Sequence, residues 1–213
     1  MPDDLNTRKE RWARKMSGKD VRVERSGERM PPGQHEVKDF PVLDLGIKPD
    51  LDDSNWKLKI HGEVENPVEL NWDEFSKLPK FTDVCDIHCV TTWSQFDMKF
   101  SGVAFFTIAE LVKPKECAKH VIMQSYDGYT TNLTLDAMLD DDVMIAHSFE
   151  GEPLSREHGG PARVMVPKLY AWKSAKWIRE LRFSETDEPG YWERRGYSNT
   201  ADPFTNDRFS QKS

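Results

Sequence analysis

The sequence contains little cysteine and no long apolar run, and each shortage excludes a class of protein. Cysteine occurs at only three of the 213 positions, Cys85, Cys89 and Cys117. An odd number at irregular spacing does not suit a disulfide framework and indicates reduced thiols. Apolar runs such as VAFF at 103–106 are far shorter than the roughly 20 residues that cross a bilayer. We therefore expect neither a disulfide scaffold nor a membrane span.

Positive charge and targeting signals are also scarce. The chain has 30 Lys and Arg against 37 Asp and Glu, which gives a net charge of −7 at pH 7. Because nucleic-acid-binding proteins usually carry a basic surface, we expect no nucleic-acid partner. Residues 1–20 are charged and contain neither an apolar stretch nor a twin-arginine start. These features predict a cytoplasmic protein.

The common short catalytic motifs are missing as well. The sequence contains no G-x-G-x-x-G, no Walker A motif, no G-x-S-x-G and no H-E-x-x-H. The nucleotide-binding, serine-hydrolase and zinc-protease chemistries that use these motifs therefore lack support. The acidic run at 140–142 is typical of a solvated turn and needs no functional explanation.

The chain does contain the apolar and aromatic residues that a core requires. It has seven Trp and 11 Phe, and a domain of this length can bury roughly 70% of its unfolded surface. We expect residues 1–30 to form a charged arm and residues 31–213 a single domain with a polar C-terminal tail. Many short strand patterns and few helical ones, without regular alternation, predict an α+β fold with mixed, largely antiparallel sheets.

Local patterns predict particular elements. Residues 56–70 alternate apolar and polar side chains and then turn at ENP, which predicts a β-hairpin. Asn71 precedes Glu74 by three positions, the spacing of a capping box at a helix N-terminus. Thr107 and Glu110 have the same spacing and predict a second capped helix.

The segment CDIHC at 85–89 contains the most reactive side chains of the chain. Structural zinc sites usually present two pairs of closely spaced ligands, and no second pair follows Cys85, His88 and Cys89. Free cysteine is among the most buried residue types, so Cys85 and Cys117 are best interpreted as core residues. For Cys89 the residues alone leave three alternatives: a core residue, a zinc ligand, or a sulfur ligand of another metal.

A basic loop between two predicted strands indicates an anionic ligand. His158 and a Gly-Gly-Pro sequence precede a strand that begins at Arg163, and Lys173, Ser174 and Lys176 follow in the next loop. Arg offers a bidentate fork, Lys a point charge and the backbone further N–H donors, which together suit a phosphate. Basic residues that merely flank strands on the surface are the simpler alternative.

Two segments together resemble one enzyme family. HGGPARVMVPKLYAWKSAKWI at 158–178, with CVTTW upstream at 89–93, is similar to the molybdopterin domain of the sulfite oxidase family. The resemblance extends over about residues 31–183 and implies the fold of that domain and a molybdenum–molybdopterin cofactor. It also implies two-electron oxygen-atom transfer on an S-oxide, an N-oxide or a small oxyanion. Cys89 would be the thiolate bound to molybdenum, which suits a soft sulfur ligand.

The resemblance also implies which residues form the site. From its position four residues after Cys89, Trp93 is a candidate catalytic residue at the mouth of the site, with a core aromatic as the alternative. Asp127 is a second candidate that could approach the metal from a turn, with a simple hairpin turn as the alternative. Arg194 and Arg195 could close the site as anion-binding groups, with a solvated tail as the alternative. The residues implied to bind the cofactor are Gln34, His35, Cys89, Ser125, His158, Arg163, Lys173, Ser174, Ala175 and Lys176.

One departure from the family bears on the substrate. Sulfite oxidases follow the ligand cysteine with an arginine-containing segment, whereas this chain has CVTTWSQF at 89–96. That sequence is nearer to the bacterial enzyme type that reduces methionine sulfoxide. A sulfite dehydrogenase with a separate electron acceptor is the first alternative. A cofactor-free binding module and a structural zinc domain are alternatives of another class.

The length of the chain suggests how the enzyme works with partners. The sequence contains no haem-attachment motif and ends too soon for the C-terminal dimerisation domain of sulfite oxidases. We therefore expect a separate electron-transfer partner and a monomer.

Overall fold

The computed structural model of the protein describes residues 29–210. Eleven strands occur in this range, and most of them are short. In chain order they are β1 (His35–Glu36), β2 (Lys57–Gly62), β3 (Val68–Asn71), β4 (Lys80–His88), β5 (Trp93–Ala104), β6 (His120–Ser125), β7 (Thr130–Thr134), β8 (Met144–Phe149), β9 (Glu152–Pro153), β10 (Arg163–Met165) and β11 (Ile178–Ser184).

The strands form two mixed sheets. In the first sheet the long strand β5 pairs with β4 along one edge, and with β1 and β8 along the other; β8 also pairs with β9 and β10. The second sheet has the order β3-β2-β11-β6-β7. Among the described residues only the β1–β5 and β2–β11 pairs are parallel. The predicted α+β fold with largely antiparallel sheets is confirmed, and so is the predicted hairpin, which forms β2 and β3.

Three short α-helices connect the strands within residues 29–210. They are α1 (Trp72–Ser76), α2 (Phe105–Val112) and α3 (Leu135–Met138). The capping box of α1 is confirmed, because the Glu74 N–H donates to Asn71 Oδ1 over 3.0 Å and the Asn71 N–H to Glu74 Oε2 over 2.9 Å. The second predicted capping box is wrong. Helix α2 begins at Phe105, whose ring is fully buried, so Thr107 is inside the first turn and not at its cap.

Three apolar clusters make up the core of the described residues. The largest includes Trp56 and Phe75 and packs the second sheet against α2. The second lies on the first sheet and contains Cys85 and Cys89. The smallest consists of Tyr170, Trp172 and Ala201. Cys117 is only partly buried, and its thiol donates to Glu63 Oε2 over 3.4 Å. The interpretation of Cys117 as a core residue is therefore wrong, because a nearby carboxylate gives the thiol a polar partner at the surface.

Only the last two residues of the predicted charged arm are within the described range, and residues 1–28 lie outside it. Arg29 forms ion pairs with Asp86 over 2.6 Å and Asp97 over 2.9 Å, which ties this end of the arm to strands β4 and β5.

Candidate active site

A cavity of about 390 Å³ opens where β4 and β6 end and β10 begins. Its wall comes from parts of the chain that are far apart in sequence, and this volume is in the range of small-molecule sites. Eight of the predicted site residues line it: Cys89, Trp93, Ser125, Asp127, His158, Arg163, Ser174 and Lys176.

Cys89 sits at the start of a tight loop between β4 and β5. The Cys89 N–H donates to the Trp93 carbonyl over 2.8 Å and the Thr92 N–H to the Cys89 carbonyl over 3.0 Å. This turn places Thr92 at a φ of 77° and leaves the Cys89 Sγ beside Thr91 Oγ1, 3.1 Å away. Burial raises the pKa of the Cys89 thiol, so the group carries its proton at neutral pH. A metal ion bound there would replace that proton.

Two cations, Arg163 and Lys176, line the same cavity, and neither forms an ion pair with a carboxylate among the described residues. Arg163 donates to the carbonyls of His158 and Ser174, over 2.9 Å and 3.1 Å, and burial lowers its pKa to about 10. Lys176 donates to the Glu157 carbonyl over 2.8 Å. Burial, and then repulsion from Arg163, lowers the Lys176 pKa to about 8. Arg163 is buried and Lys176 is half-buried, with the charge of Lys176 only partly offset by Asp44 and Asp127. Buried positive charge is costly, and a bound anion would reduce that cost.

A glycine allows these cations to approach each other. Gly159 has a φ of +105°, and a Cβ there would lie 3.0 Å from Lys176 Cβ and 3.1 Å from Arg163 Cβ. Any larger residue would therefore push the two cationic side chains apart.

Several buried polar atoms of the cavity wall have no partner among residues 29–210. They are the Arg163 Nε, the Ser125 Oγ and the Trp93 Nε1. Buried donors and acceptors are normally satisfied, so such atoms at a cavity wall fit a polar ligand. A pterin with a phosphate and one thiolate-bound metal provides the matching groups. Donors, cations and thiol in one cavity therefore fit the cofactor that the sequence predicts.

The imidazole of His158 is stacked and hydrogen-bonded and is not a free base. Its ring stacks on Phe40 with 4.2 Å between centroids and 5° between planes. Its Nε2 lies 3.1 Å from the Phe40 carbonyl and its Nδ1 3.0 Å from Ser155 Oγ. Since a carbonyl only accepts, Nε2 carries the proton. Burial lowers the His158 pKa, so the ring is neutral, and its stacking and two hydrogen bonds hold it in place at the cavity wall.

Four predicted cofactor residues do not reach the cavity wall. His35 is exposed and pairs with Trp93 in the β1–β5 ladder. The side chain of Gln34 lies behind the Cys89 loop and donates to the Cys89 carbonyl over 3.1 Å. Ala175 contributes a carbonyl that accepts from the Val164 N–H over 2.8 Å. Lys173 lies fully buried behind the wall, where its Nζ is 2.6 Å from Glu193 Oε1.

The Lys173–Glu193 ion pair supports the aromatic part of the wall. Glu193 Oε1 also accepts from Trp172 Nε1 over 3.0 Å and from Thr131 Oγ1 over 3.1 Å. Trp172, Trp192 and Tyr197 all line the cavity. The two predicted closing residues take no part in it: Arg195 covers the ring of Tyr191 at 3.6 Å, and Arg194 lies elsewhere on the surface.

Sequence reasoning missed Phe40, Glu193 and Arg208, which hold parts of this site. Arg208 donates to the Val90 carbonyl in the Cys89 loop from 118 residues away. Phe40 contacts His158 across the same sequence separation. Their short segments have no apolar period, and only the Phe-Pro pair at 40–41 marks an extended stretch. Tertiary packing alone brings them to the cavity.

A single buried thiol, two cations and a partly apolar wall in one cavity fit an anionic metal cofactor. In the described range, no group of three or more His, Cys, Asp and Glu side chains could hold a metal ion by itself. The family model for the oxidoreductase molybdopterin-binding domain matches residues 45–192. The chain belongs to this family, and the predicted enzyme class and cofactor are confirmed.

Similar proteins agree with this assignment. The chain is 42% identical over 194 residues to the uncharacterized oxidoreductase YuiH of Bacillus subtilis, covering 91% of this chain and 98% of that protein. It is 25% identical over 190 residues to the protein-methionine-sulfoxide reductase catalytic subunit MsrP of Campylobacter jejuni, covering 78% of this chain and 64% of MsrP. The chain thus spans less than two thirds of MsrP.

A solved structure supports the fold. The sulfane dehydrogenase SoxCD of Paracoccus pantotrophus matches with a TM-score of 0.62 at 22% identity, over 70% of this chain and 42% of that one. The predicted sulfite oxidase-type fold is thereby confirmed. Within residues 29–210, no helix is both long and apolar enough to cross a membrane.

Proposed function

We propose that this oxidoreductase reduces a neutral organic S-oxide by two-electron oxygen-atom transfer. The observation that carries the proposal is the charge on the cavity wall. Its only cations among the described residues are Arg163 and Lys176, and its remaining charged residues are the carboxylates Asp44 and Asp127. If the two cations bind the pterin phosphate, an anionic substrate finds carboxylates and no free cation.

The proposed cofactor contacts follow from the same wall. Cys89 provides the metal-bound thiolate, and Arg163, Ser174 and Lys176 hold the phosphate, with Ser125 Oγ as a further polar contact. The cofactor, when bound, supplies the two-electron oxygen-transfer chemistry. Gln34 acts indirectly, because it fixes the carbonyl of Cys89.

The overall reaction balances with an external electron donor. The S–O bond of the S-oxide breaks, the sulfide leaves, and two electrons with two protons convert the released oxygen to water. The electrons come from a separate electron-transfer partner. Asp127 is the partly buried one of the two wall carboxyls, and burial raises its pKa. Since Asp127 Oδ1 accepts the Tyr129 N–H over 3.0 Å, the proton that this residue can hold belongs on Oδ2.

The aromatic wall supports a substrate with an apolar substituent. Trp93, Trp172, Trp192 and Tyr197 surround the cavity together with Phe40. Aromatic surfaces of this size bind apolar and thioether groups favourably. A methyl aryl sulfoxide should therefore be a better substrate than nitrate.

A substrate comparison tests the proposal. The protein is produced in a host that makes the molybdenum cofactor, and reduced viologen dye supplies electrons to methyl phenyl sulfoxide or nitrate. Sulfite is tested in the oxidising direction with ferricyanide. We expect turnover of the sulfoxide, a higher KM for it in Trp93→Leu, and unchanged kinetics in Arg194→Gln, whose side chain lies outside the cavity. Turnover of sulfite or nitrate alone would overturn the proposal.

The proposal also covers the domain bounds, the oligomeric state and the cellular compartment of the enzyme. We propose one domain over residues 31–213 that works as a monomer in the cytoplasm. The three free cysteines support a reducing compartment, and the net charge of −7 disfavours self-association. Light scattering on the purified protein measures its mass, and a dimer mass would contradict this part.

A further inference from the structure

The loop that carries Cys89 is held by the C-terminal segment of the chain. The Arg208 Nη1 donates to the carbonyl of Val90, the residue that follows Cys89. The Arg208 guanidinium also lies 5.2 Å from the centre of the Tyr170 ring, and its Nε donates to Asn206 Oδ1 over 2.7 Å. Its position is therefore fixed by three separate contacts.

The C-terminal segment, residues 197–209, packs against the site and brings Arg208 to the Cys89 loop. The Ser198 N–H donates to the Arg208 carbonyl over 3.0 Å, and Tyr197 and Phe209 form a β-bridge. Phe204 places its ring edge to face with His88, 5.5 Å away, at the end of β4. The segment lies beyond residues 45–192, the part matched by the family model.

Two consecutive carbonyls of the loop are thus held from opposite ends of the chain. Gln34 Nε2 binds the Cys89 carbonyl over 3.1 Å, and Arg208 binds the Val90 carbonyl. The loop needs such support because Thr92 adopts a positive φ of 77°, a conformation that β-branched residues disfavour. Without these contacts the loop would relax and the Sγ of Cys89 would lose its fixed position.

We propose that Arg208 is a positioning residue for the metal ligand, which fixes the Cys89 loop and places a positive charge beside the carbonyl of the residue that follows the ligand. The Cys89 part of this inference rests on the proposed function. A contact between a charged donor and a loop carbonyl is stronger than a neutral one. Its loss should therefore open the loop more often without unfolding the domain.

Hydrogen exchange and thiol alkylation on the full-length, cofactor-free protein test the loop. Arg208→Gln removes the charge, Arg208→Lys keeps it with a single donor group, and Arg179→Gln is a control that removes an exposed guanidinium on β11. In Arg208→Gln we expect Cys89 alkylation and Thr92 amide exchange to rise about tenfold, the effect of about 1.4 kcal/mol. The control should match wild type. Unchanged loop rates in Arg208→Gln would overturn the proposal.

The midpoint potential of the loaded enzyme separates positioning from a merely structural anchor. Removing a positive charge near the metal ligand favours the oxidised state, so Arg208→Gln should lower the potential while Arg208→Lys and Arg179→Gln leave it unchanged. Equal potentials in all variants would overturn the charge effect. If Arg208→Gln does not fold, Arg208→Lys decides the loop test, with faster loop exchange expected. Absence of molybdenum in wild type would refute the proposed function and leave the loop result intact.

Discussion

Replacing Lys176 by Met should weaken cofactor binding without weakening the fold. Met keeps most of the side-chain length that reaches over the ring of Trp177, where Nζ is 4.7 Å from the centroid. It removes the charge and the bond from Nζ to the Glu157 carbonyl. The variant therefore separates the binding role of the cation from its packing role.

The magnitude follows from the Lys176 pKa, which falls from 10.5 to about 8 in the folded protein. At about 1.4 kcal/mol per pKa unit this shift would cost roughly 3 kcal/mol, and solvent screening of a partly exposed group reduces it to about 1 kcal/mol. A lowered lysine pKa destabilises the fold below about pH 8, and the cost disappears as the pH rises through that value towards 10.5. Apo protein should thus gain stability over this range, and Lys176→Met should not.

The assays are urea unfolding of the apo protein and cofactor content of the loaded one. At pH 7 we expect Lys176→Met to change the free energy of unfolding by about 1 kcal/mol or less in either direction, because the lost bond offsets the relieved charge. Losing a charge-assisted contact to phosphate should reduce cofactor affinity by about 10- to 100-fold. A loss of more than about 2 kcal/mol in the apo protein, with normal cofactor content, would refute this reasoning.

Three further predictions concern the support of the site. Glu193→Gln leaves Lys173 buried without its counter-charge, which should cost about 3–5 kcal/mol in urea unfolding; a loss below about 1 kcal/mol would contradict a buried ion pair. Gly102→Ala places a Cβ 2.3 Å from the Ile145 carbonyl oxygen and should lower the melting temperature. Gly128→Ala is the control: its Cβ would enter open space, so only the backbone strain of a positive φ should lower its melting temperature. Phe40→Leu removes the ring stacked on His158 and should raise the His158 pKa by opening it to water, as NMR titration would show; an unchanged value would mean that the ring does not shield it.

The sequence predicts what depends on local pattern or on short motifs. The capping box at Asn71 and the hairpin of β2 and β3 follow from spacing and alternation, which the backbone itself enforces. The approach of Cys89, Arg163 and Lys176 to one cavity follows from two motifs that resemble the family.

Other features depend on packing that no local pattern encodes. Helix α2 begins at Phe105 because its apolar ring is buried there, which overrides the polar spacing at Thr107. Lys173 belongs to the same motif as Lys176, yet one turn of 3₁₀ helix directs it to Glu193 behind the wall. Arg208 reaches the Cys89 loop only through the folded C-terminal segment.

The most direct test of the account is metal analysis of wild type, Cys89→Ser and Cys117→Ser, produced in a host that makes the molybdenum cofactor. Cys117 lies at the surface beside Glu63 and serves as the matched control for loss of a thiol. We predict equimolar molybdenum in wild type and Cys117→Ser, and its loss in Cys89→Ser, because only the cavity thiol binds the metal. Equimolar molybdenum in Cys89→Ser, or none in wild type from a host that loads a related enzyme, would contradict the account.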